Sequence, residues 1–357
     1  MCTACLSKPV PTDEFAQQLL GLVNGAAIVQ MISIGHRTGL FDAMSGLPAS
    51  TSEQIAAAGG LDERYVREWL GTMTTGGIVS YDRDAKKYEL PESHAALLTR
   101  AAGSNNLAAT TQFVPVLAGV EDEIVECFRE GGGVPYSSYP RFHEVMAEES
   151  DMTVVAGLRE HILPLVPGLI DRLAKGIDVL DVGCGRGHGI IELAAAFGNS
   201  RFVGLDLSPE AVAYANDRAS ARGLTNVRFD QRDLSGFTSR ETFDLITAFD
   251  SVHDQADPAG MLAGIAGALR PGGVFLMQDI AGSSEVGDNI GKPLAPFIYT
   301  ISCMHCMSVS LAQGGAGLGA AWGEELAQEM LGEAGFSDVC VNRLDHDIMN
   351  AFYVARR

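Results

Sequence analysis

Val179-Leu180-Asp181-Val182-Gly183-Cys184-Gly185-Arg186-Gly187-His188-Gly189 reads as an apolar strand running into a glycine loop. The apolar run over 177–182 stops where glycines let the backbone turn sharply, and helical spacing resumes at Ile190, Ile191, Leu193, Ala194 and Phe197. Helix amide groups then face a ligand. In an α/β sheet that ligand lies in the crevice outside the carboxyl ends of the strands, so a nucleotide-like pocket is expected at this loop. Glycine spacing narrows the choice, because a dinucleotide fingerprint needs G-x-G-x-x-G. Counted from Gly183 its last glycine falls on His188, and counted from Gly185 it falls on Ile190; neither frame fits.

Downstream of the loop the strand and helix patterns alternate. A second strand over 201–205 ends at Asp206 and Leu207, Ser208 caps the next helix with Pro209 at its first position, and Gly223 follows its end. Further strands are expected over 226–229, with Asp233 and Leu234 beyond, and over 243–249, followed by Asp250, His253 and Asp254. A helix over 258–269 leads to Arg270-Pro271-Gly272-Gly273 and a strand over 274–277 that runs on to Asp279. This alternation predicts a doubly wound parallel sheet. Residues 280–322, rich in Gly, Ser, Met and Cys, read as a substrate-covering insertion with an apolar helix over 294–309. A helix over 324–334 and a closing hairpin from 339–344 and 351–355 end the chain.

The N-terminal third has a different plan. Apolar residues at Leu19, Leu20, Val23, Ala27, Met31 and Ile34 recur at helical spacing; Gln17, Gln18, Asn24 and Gln30 inside the run favour a core helix over a membrane span. No other stretch is expected to approach a membrane span. Thr51 with Gln54 is a capping-box signal, Asp62 caps a second helix with Val66, Trp69, Leu70 and Met73 on one face, and two short β segments flank Asp82-Arg83-Asp84-Ala85. That is the order of a winged helix. Its second helix offers Arg64 and Arg67 as cations beside Asp62, Glu63 and Glu68, a poor footprint for a phosphate backbone, so dimerisation or a structural cap is expected. Residues 105–175 read as a helical connector and pocket wall, with one helix over 117–128 and another over 154–174. The expected organisation is 1–104, 105–175 and 176–357.

Composition limits the function classes. The net charge of −20, from 25 Lys and Arg against 45 Asp and Glu, excludes an extended nucleic-acid surface. Seven cysteines without a signal peptide indicate free thiols and a cytoplasmic location. Cys2 and Cys5 lack a second pair at zinc spacing, as does Cys303-Met304-His305-Cys306-Met307, so no metal is expected. The latter reads instead as a soft Met and Cys lining for an apolar pocket.

G-x-G-x-G after an acidic residue resembles the first motif of the class I S-adenosylmethionine-dependent methyltransferases, and residues 176–280 with the terminal hairpin follow that family's order. The resemblance implies a Rossmann-like, doubly wound seven-stranded α/β sheet with a terminal antiparallel hairpin, beside a mostly helical winged-helix lobe. It implies cofactor contacts at Asp181, Gly183, Cys184, Gly185 and Gly187, ribose hydrogen bonds at Asp206 with Leu207 adjacent, adenine contacts at Asp233 and Leu234, and an opening on the cofactor at Phe249 and Asp250. Cys184 by itself reads as a small buried filler.

Methyl transfer from a sulfonium is an in-line displacement that needs an aligned nucleophile and, for a hydroxyl, a base. Ser251-Val252-His253-Asp254-Gln255-Ala256-Asp257-Pro258 resembles the H-D-x-x-D segment of winged-helix small-molecule O-methyltransferases, in which the histidine is the base; Gln255 stands where that family has Trp. Asp279 is placed to orient His253. The expected protein is a homodimeric methyltransferase of a small, apolar or aromatic acceptor, acting at a hydroxyl, with no nucleic-acid or membrane partner. Two alternatives stay open: methyl transfer to N, C or S by alignment alone, and a non-catalytic winged-helix DNA-binding regulator that senses the cofactor.

Overall fold

Alternation of strand and helix from residue 176 onward builds a seven-stranded sheet in the computed structural model, which describes residues 10–239 and 242–357. Two compact units divide the chain, Met1–Ala118 and Gly119–Arg357. Cys2 and Cys5 lie outside the described residues.

In the first unit the winged-helix order is realised. Helix Ser52–Gly59 starts at the Thr51–Gln54 capping box, helix Glu63–Thr75 is capped by Asp62, and strands β1 (Ser80–Asp82) and β2 (Lys87–Glu89) form the antiparallel wing. Val66, Trp69, Leu70 and Met73 are buried as their spacing requires. Trp69 packs edge-on against Phe41 at 5.1 Å and donates its indole N–H to Met31 O at 2.8 Å. Gly35 makes room for this contact, since a Cβ there would lie 2.6 Å from the Trp69 ring.

Helix Thr12–Thr38 corrects one expectation. It buries Ile32, Ser33, Gly35 and His36, while Phe15, Leu19, Leu20, Leu22 and Val23 are exposed, Leu22 at 68%. Its C-terminal turns belong to the core and its N-terminal turns do not. By length and composition alone, this helix and the stretch Ala295–Ala312 are both apolar enough to cross a membrane, with mean hydropathies of 1.5 and 1.3, so a second stretch does approach that measure.

The second unit carries strands β3 (Asp178–Val182), β4 (Arg201–Asp206), β5 (Val227–Gln231), β6 (Phe243–Phe249), β7 (Leu269–Ile280), β8 (Asp338–Leu344) and β9 (Asp347–Arg356). Their order is β5-β4-β3-β6-β7-β9-β8, with β9 antiparallel to both β7 and β8. The doubly wound sheet with a terminal hairpin is thus the observed fold. Strand order reverses between β3 and β6, so the loop after β3 opens at the switch point where α/β sheets bind ligands. Two apolar layers sandwich the sheet, one around Ile246, Leu262, Phe275 and Trp322, the other around Val179, Ile190, Leu245 and Phe352. At the far end of the strands Arg270 joins Asp178 and Asp244, tying β3, β6 and β7 together where the sheet would otherwise fray.

Proline and glycine reshape two expected helices. In place of the helix expected over 154–174 are π-helical turns at Asp151–Val155 and Leu158–Ile162, a 3₁₀ turn at Leu163–Leu165 that contains Pro164, and helix Leu169–Lys175 beyond Pro167-Gly168. The helix expected over 117–128 is two, Phe113–Ala118 and Glu121–Glu130. The apolar helix expected over 294–309 forms over Ala295–Ala312, with a π-helical turn at Ser302–Cys306 in its middle. Such wide turns re-aim side chains and recur at functional sites.

Candidate active site

The loop between β3 and helix His188–Ala196 is shaped by three left-handed glycines, Gly183, Gly185 and Gly187, at φ +69°, +52° and +71°. Gly183 and Cys184 both donate backbone N–H groups to Leu205 O, at 2.8 and 3.1 Å, which locks the loop to the end of β4. Gly187 packs against β5: a Cβ there would sit 2.6 Å from the Phe229 ring. Gly185 faces open space, and its N–H donates to Asp206 Oδ2 at 2.8 Å. Asp206 Oδ1 accepts from Ser208 N–H at 2.8 Å, so the carboxylate is oriented by backbone on both sides. Each oxygen retains a further lone pair for a ligand hydroxyl.

A cavity of about 750 Å³ opens at this loop. Its walls include Asp181, Gly183, Cys184, Gly185, Gly187, Asp206, Leu207, Leu234, Phe249 and Asp250 from the expected site. Asp233 is not brought there. It is exposed and accepts from Ser235 N–H at 2.8 Å, while its neighbour Leu234 turns inward and is 3% exposed.

The cavity is acidic and its carboxylates are strained electrostatically. Burial, helped by the nearby Asp206 charge and opposed by a 2.7 Å hydrogen bond from Thr247, raises Asp181 to about 7. Asp250, the residue after β6, has a left-handed backbone at φ +55° and a buried Oδ1 that makes no hydrogen bond and lies 3.9 Å from His253 Nδ1. Burial raises its carboxyl too, against the attraction of His253. Burial also pushes the Cys184 thiol well up, which suits an inert filler. A cavity that combines unpaired carboxylate capacity with a glycine cradle fits a ligand bearing hydroxyls, an ammonium and a sulfonium, as S-adenosylmethionine does.

His253 and Asp279 form a buried pair behind this wall. His253 Nδ1 lies 2.8 Å from Asp279 Oδ1, which also accepts from Trp322 Nε1–H at 2.9 Å and from Ile280 N–H at 2.8 Å. His253 is 3% exposed and Asp279 fully buried, and neither is among the cavity-lining residues. Burial disfavours the imidazolium while the Asp279 carboxylate favours it, and the net effect holds His253 well above the ordinary histidine range. Asp250, His253 and Asp279 offer side-chain atoms that all lie within 4.8 Å of one another.

Sequence reasoning placed a wall in the connector without naming its residues. They are Tyr136, Tyr139, Phe142 and His143, an aromatic cluster in a chain only 7% aromatic, with Met146 beside them. That local enrichment, just past Gly131-Gly132-Gly133, was the available signal. The soft lining expected from 303–307 is corrected: none of those five residues lines the cavity. His305 is instead 1% exposed, stacked on Phe142 at 3.5 Å between centroids, with neither ring nitrogen hydrogen-bonded. Of the 280–322 segment, Gln313 reaches the cavity.

Sheet order, glycine cradle and acidic cavity together define the fold class as that of the S-adenosylmethionine-dependent methyltransferases. Residues 173–332 match the family model of a methyltransferase domain, and residues 26–100 match that of an Rv2258c-like winged HTH domain. Among curated proteins it is 36% identical over 105 residues to a fatty-acid O-methyltransferase of Mycolicibacterium smegmatis, a match covering 29% of this chain and 38% of that one. The match spans 32% to 54% of the length of these and the other curated relatives. Two solved structures align over nearly the whole chain. Human N-acetylserotonin methyltransferase with S-adenosylmethionine covers 98% of this chain and 99% of its own at a TM-score of 0.70 and 17% identity. An O-methyltransferase from neocarzinostatin biosynthesis, in complex with S-adenosylmethionine and 2-hydroxy-5-methyl naphthoic acid, covers 92% and 95% at 0.60 and 16%. At these identities the likeness is one of fold.

Proposed function

We propose that this chain transfers a methyl group from S-adenosylmethionine to a hydroxyl of a small, planar acceptor. The observation that carries the reading is the Asp206 carboxylate, held by Gly185 N–H inside an acidic cavity at the switch point of a methyltransferase-ordered sheet. The cofactor, when bound, supplies an electrophilic methyl on a sulfonium. Asp206 would hold the ribose hydroxyls, Asp181 and Asp250 the cationic end, and Leu234 and Phe249 the apolar wall. Tyr136, Tyr139, Phe142 and His143 would exclude water and stack on the acceptor ring. Titration calorimetry with S-adenosylmethionine tests the reading directly, and a chain that binds none sinks it.

Asp181 gives the binding a pH signature. Its carboxyl is raised from 3.8 to about 7, so the folded ligand-free chain binds the proton more tightly than the unfolded one and loses stability from this group as pH rises through that window. A bound ammonium favours the ionised form. Affinity for S-adenosylmethionine should therefore rise between about pH 6 and 8 with release of a proton, and the slope should flatten in Asp181→Asn. Calorimetry in buffers of different ionisation enthalpy measures the proton; equal affinity at both pH values would contradict this role.

We also propose a homodimer through the exposed face of helix Thr12–Thr38, where Phe15, Leu19, Leu20, Leu22 and Val23 offer an apolar stripe of the kind that oligomers bury. Light scattering should show a dimer that Leu22→Glu with Val23→Glu converts to monomer, whereas an unchanged mass would place the interface elsewhere.

A further inference from the structure

Tyr136 stands on the short turn Tyr136–Ser138, and its phenol donates to the Asp254 carboxylate. Both residues line the cavity, and Gln255 Nε2–H donates to the other Asp254 oxygen at 3.0 Å. The backbone just before the turn is anchored independently. Val134 N–H donates to Ser308 Oγ at 2.8 Å, and Gly133 lies so close to helix Met307–Ala312 that a Cβ would fall 1.9 Å from Ser308 O. The Tyr136 ring stacks on His143 at 5.6 Å and meets His305 edge-on at 5.0 Å. A phenol belonging to the chain is thus aimed at a carboxylate in the cavity wall, one residue along from His253.

We propose that Tyr136 is an internal stand-in for the acceptor: its phenol occupies the hydrogen-bonding position on Asp254 that the hydroxyl of a phenolic or enolic acceptor takes on binding. Asp254 then anchors the acceptor, and Tyr136 gates it. This rests on the methyltransferase reading above and adds the acceptor class. Exchange of one phenol for another conserves the number of hydrogen bonds, so the buried carboxylate is never left unpaired, the outcome that would cost most. A planar ligand without a hydroxyl gains no such exchange. The released Tyr136 ring stays within reach of Tyr139, Phe142 and His143, which already form the aromatic wall.

The test uses the full chain loaded with S-adenosylhomocysteine and titrated calorimetrically with naphthalen-1-ol and with 1-methoxynaphthalene, which has no hydroxyl to donate. Naphthalen-1-ol should bind, and Tyr136→Phe should tighten it by about tenfold, or 1.4 kcal/mol, because no internal bond then has to break. 1-Methoxynaphthalene affinity should move by less than about twofold in the same variant. Asp254→Asn, which keeps shape and volume, should weaken naphthalen-1-ol and leave S-adenosylhomocysteine affinity unchanged. Unchanged or weakened naphthalen-1-ol binding in a folded Tyr136→Phe chain overturns the proposal, as does unchanged binding in Asp254→Asn or the absence of naphthalen-1-ol binding in every variant. Failure to bind S-adenosylhomocysteine overturns the methyltransferase reading instead, so the two failures are distinguishable.

Discussion

Gly187→Val should abolish cofactor binding, with a loss of roughly 100-fold or more in S-adenosylmethionine affinity, and lower the melting temperature. Two independent penalties act at this position. The backbone is left-handed at φ +71°, which costs a side-chain-bearing residue about 1–2 kcal/mol. The Cβ would also sit 2.6 Å from Phe229 Cε1 and 3.1 Å from Ala215 Cβ, an overpacking that typically costs a further 1–3 kcal/mol or so. Phe229 and Ala215 belong to the packed layer under the loop, so relief comes by lifting the loop, which moves Gly185 N–H off Asp206. Gly185→Ala is the matched control. It is left-handed too, but a Cβ there meets nothing within 4 Å, so strain acts without a clash and the loss should be markedly smaller. Calorimetry and thermal unfolding on both variants decide the matter; wild-type affinity in a folded Gly187→Val chain would remove the loop from the cofactor site.

The contrast between those two glycines shows what one-dimensional reading delivers. Spacing alone locates the loop, because tight turns and strand ends leave strong local signals, and Asp206 is legible for the same reason. Which glycine is pressed against Phe229 depends on β5 lying across β4, a contact that no local pattern records. Asp233 shows what local spacing leaves open. It occupies the expected place just past a strand, yet a two-residue turn onto Ser235 points it to solvent and Leu234 inward. The aromatic wall was harder still, since Tyr136, Tyr139 and Phe142 lie in a segment without periodicity, and their convergence depends on docking against 304–312. The exposed N-terminal turns of helix Thr12–Thr38 were misread as core because amphipathic spacing shows that a face needs a partner and does not show whether that partner lies in the same chain.

His253→Ala should lower turnover by roughly 100- to 10,000-fold with S-adenosylmethionine affinity retained, the range expected for loss of a general base. The His253–Asp279 geometry makes the pH dependence specific. Burial opposes the charge while the Asp279 carboxylate at 2.8 Å favours it, and the net effect raises the imidazole well above its ordinary range. Only the neutral ring can take a proton, so kcat should climb with pH through the elevated value. Stability runs the other way. The folded chain binds this proton more tightly than the unfolded chain, so the contribution is full below 6.5 and is lost as pH rises through the folded value. Asp279→Asn separates the two consequences. It removes the counter-charge, so the ascending limb of kcat should shift to lower pH while its plateau falls, and breaking the buried pair should cost about 3–5 kcal/mol of stability. The base role carries one structural condition, that the His253 ring, now against Cys306 and sealed from the cavity, opens toward the acceptor. Unchanged turnover in His253→Ala, or a kcat profile that Asp279→Asn leaves in place, would reduce the pair to a structural ion pair under the wall and leave Asp254 as the acidic group nearest the acceptor.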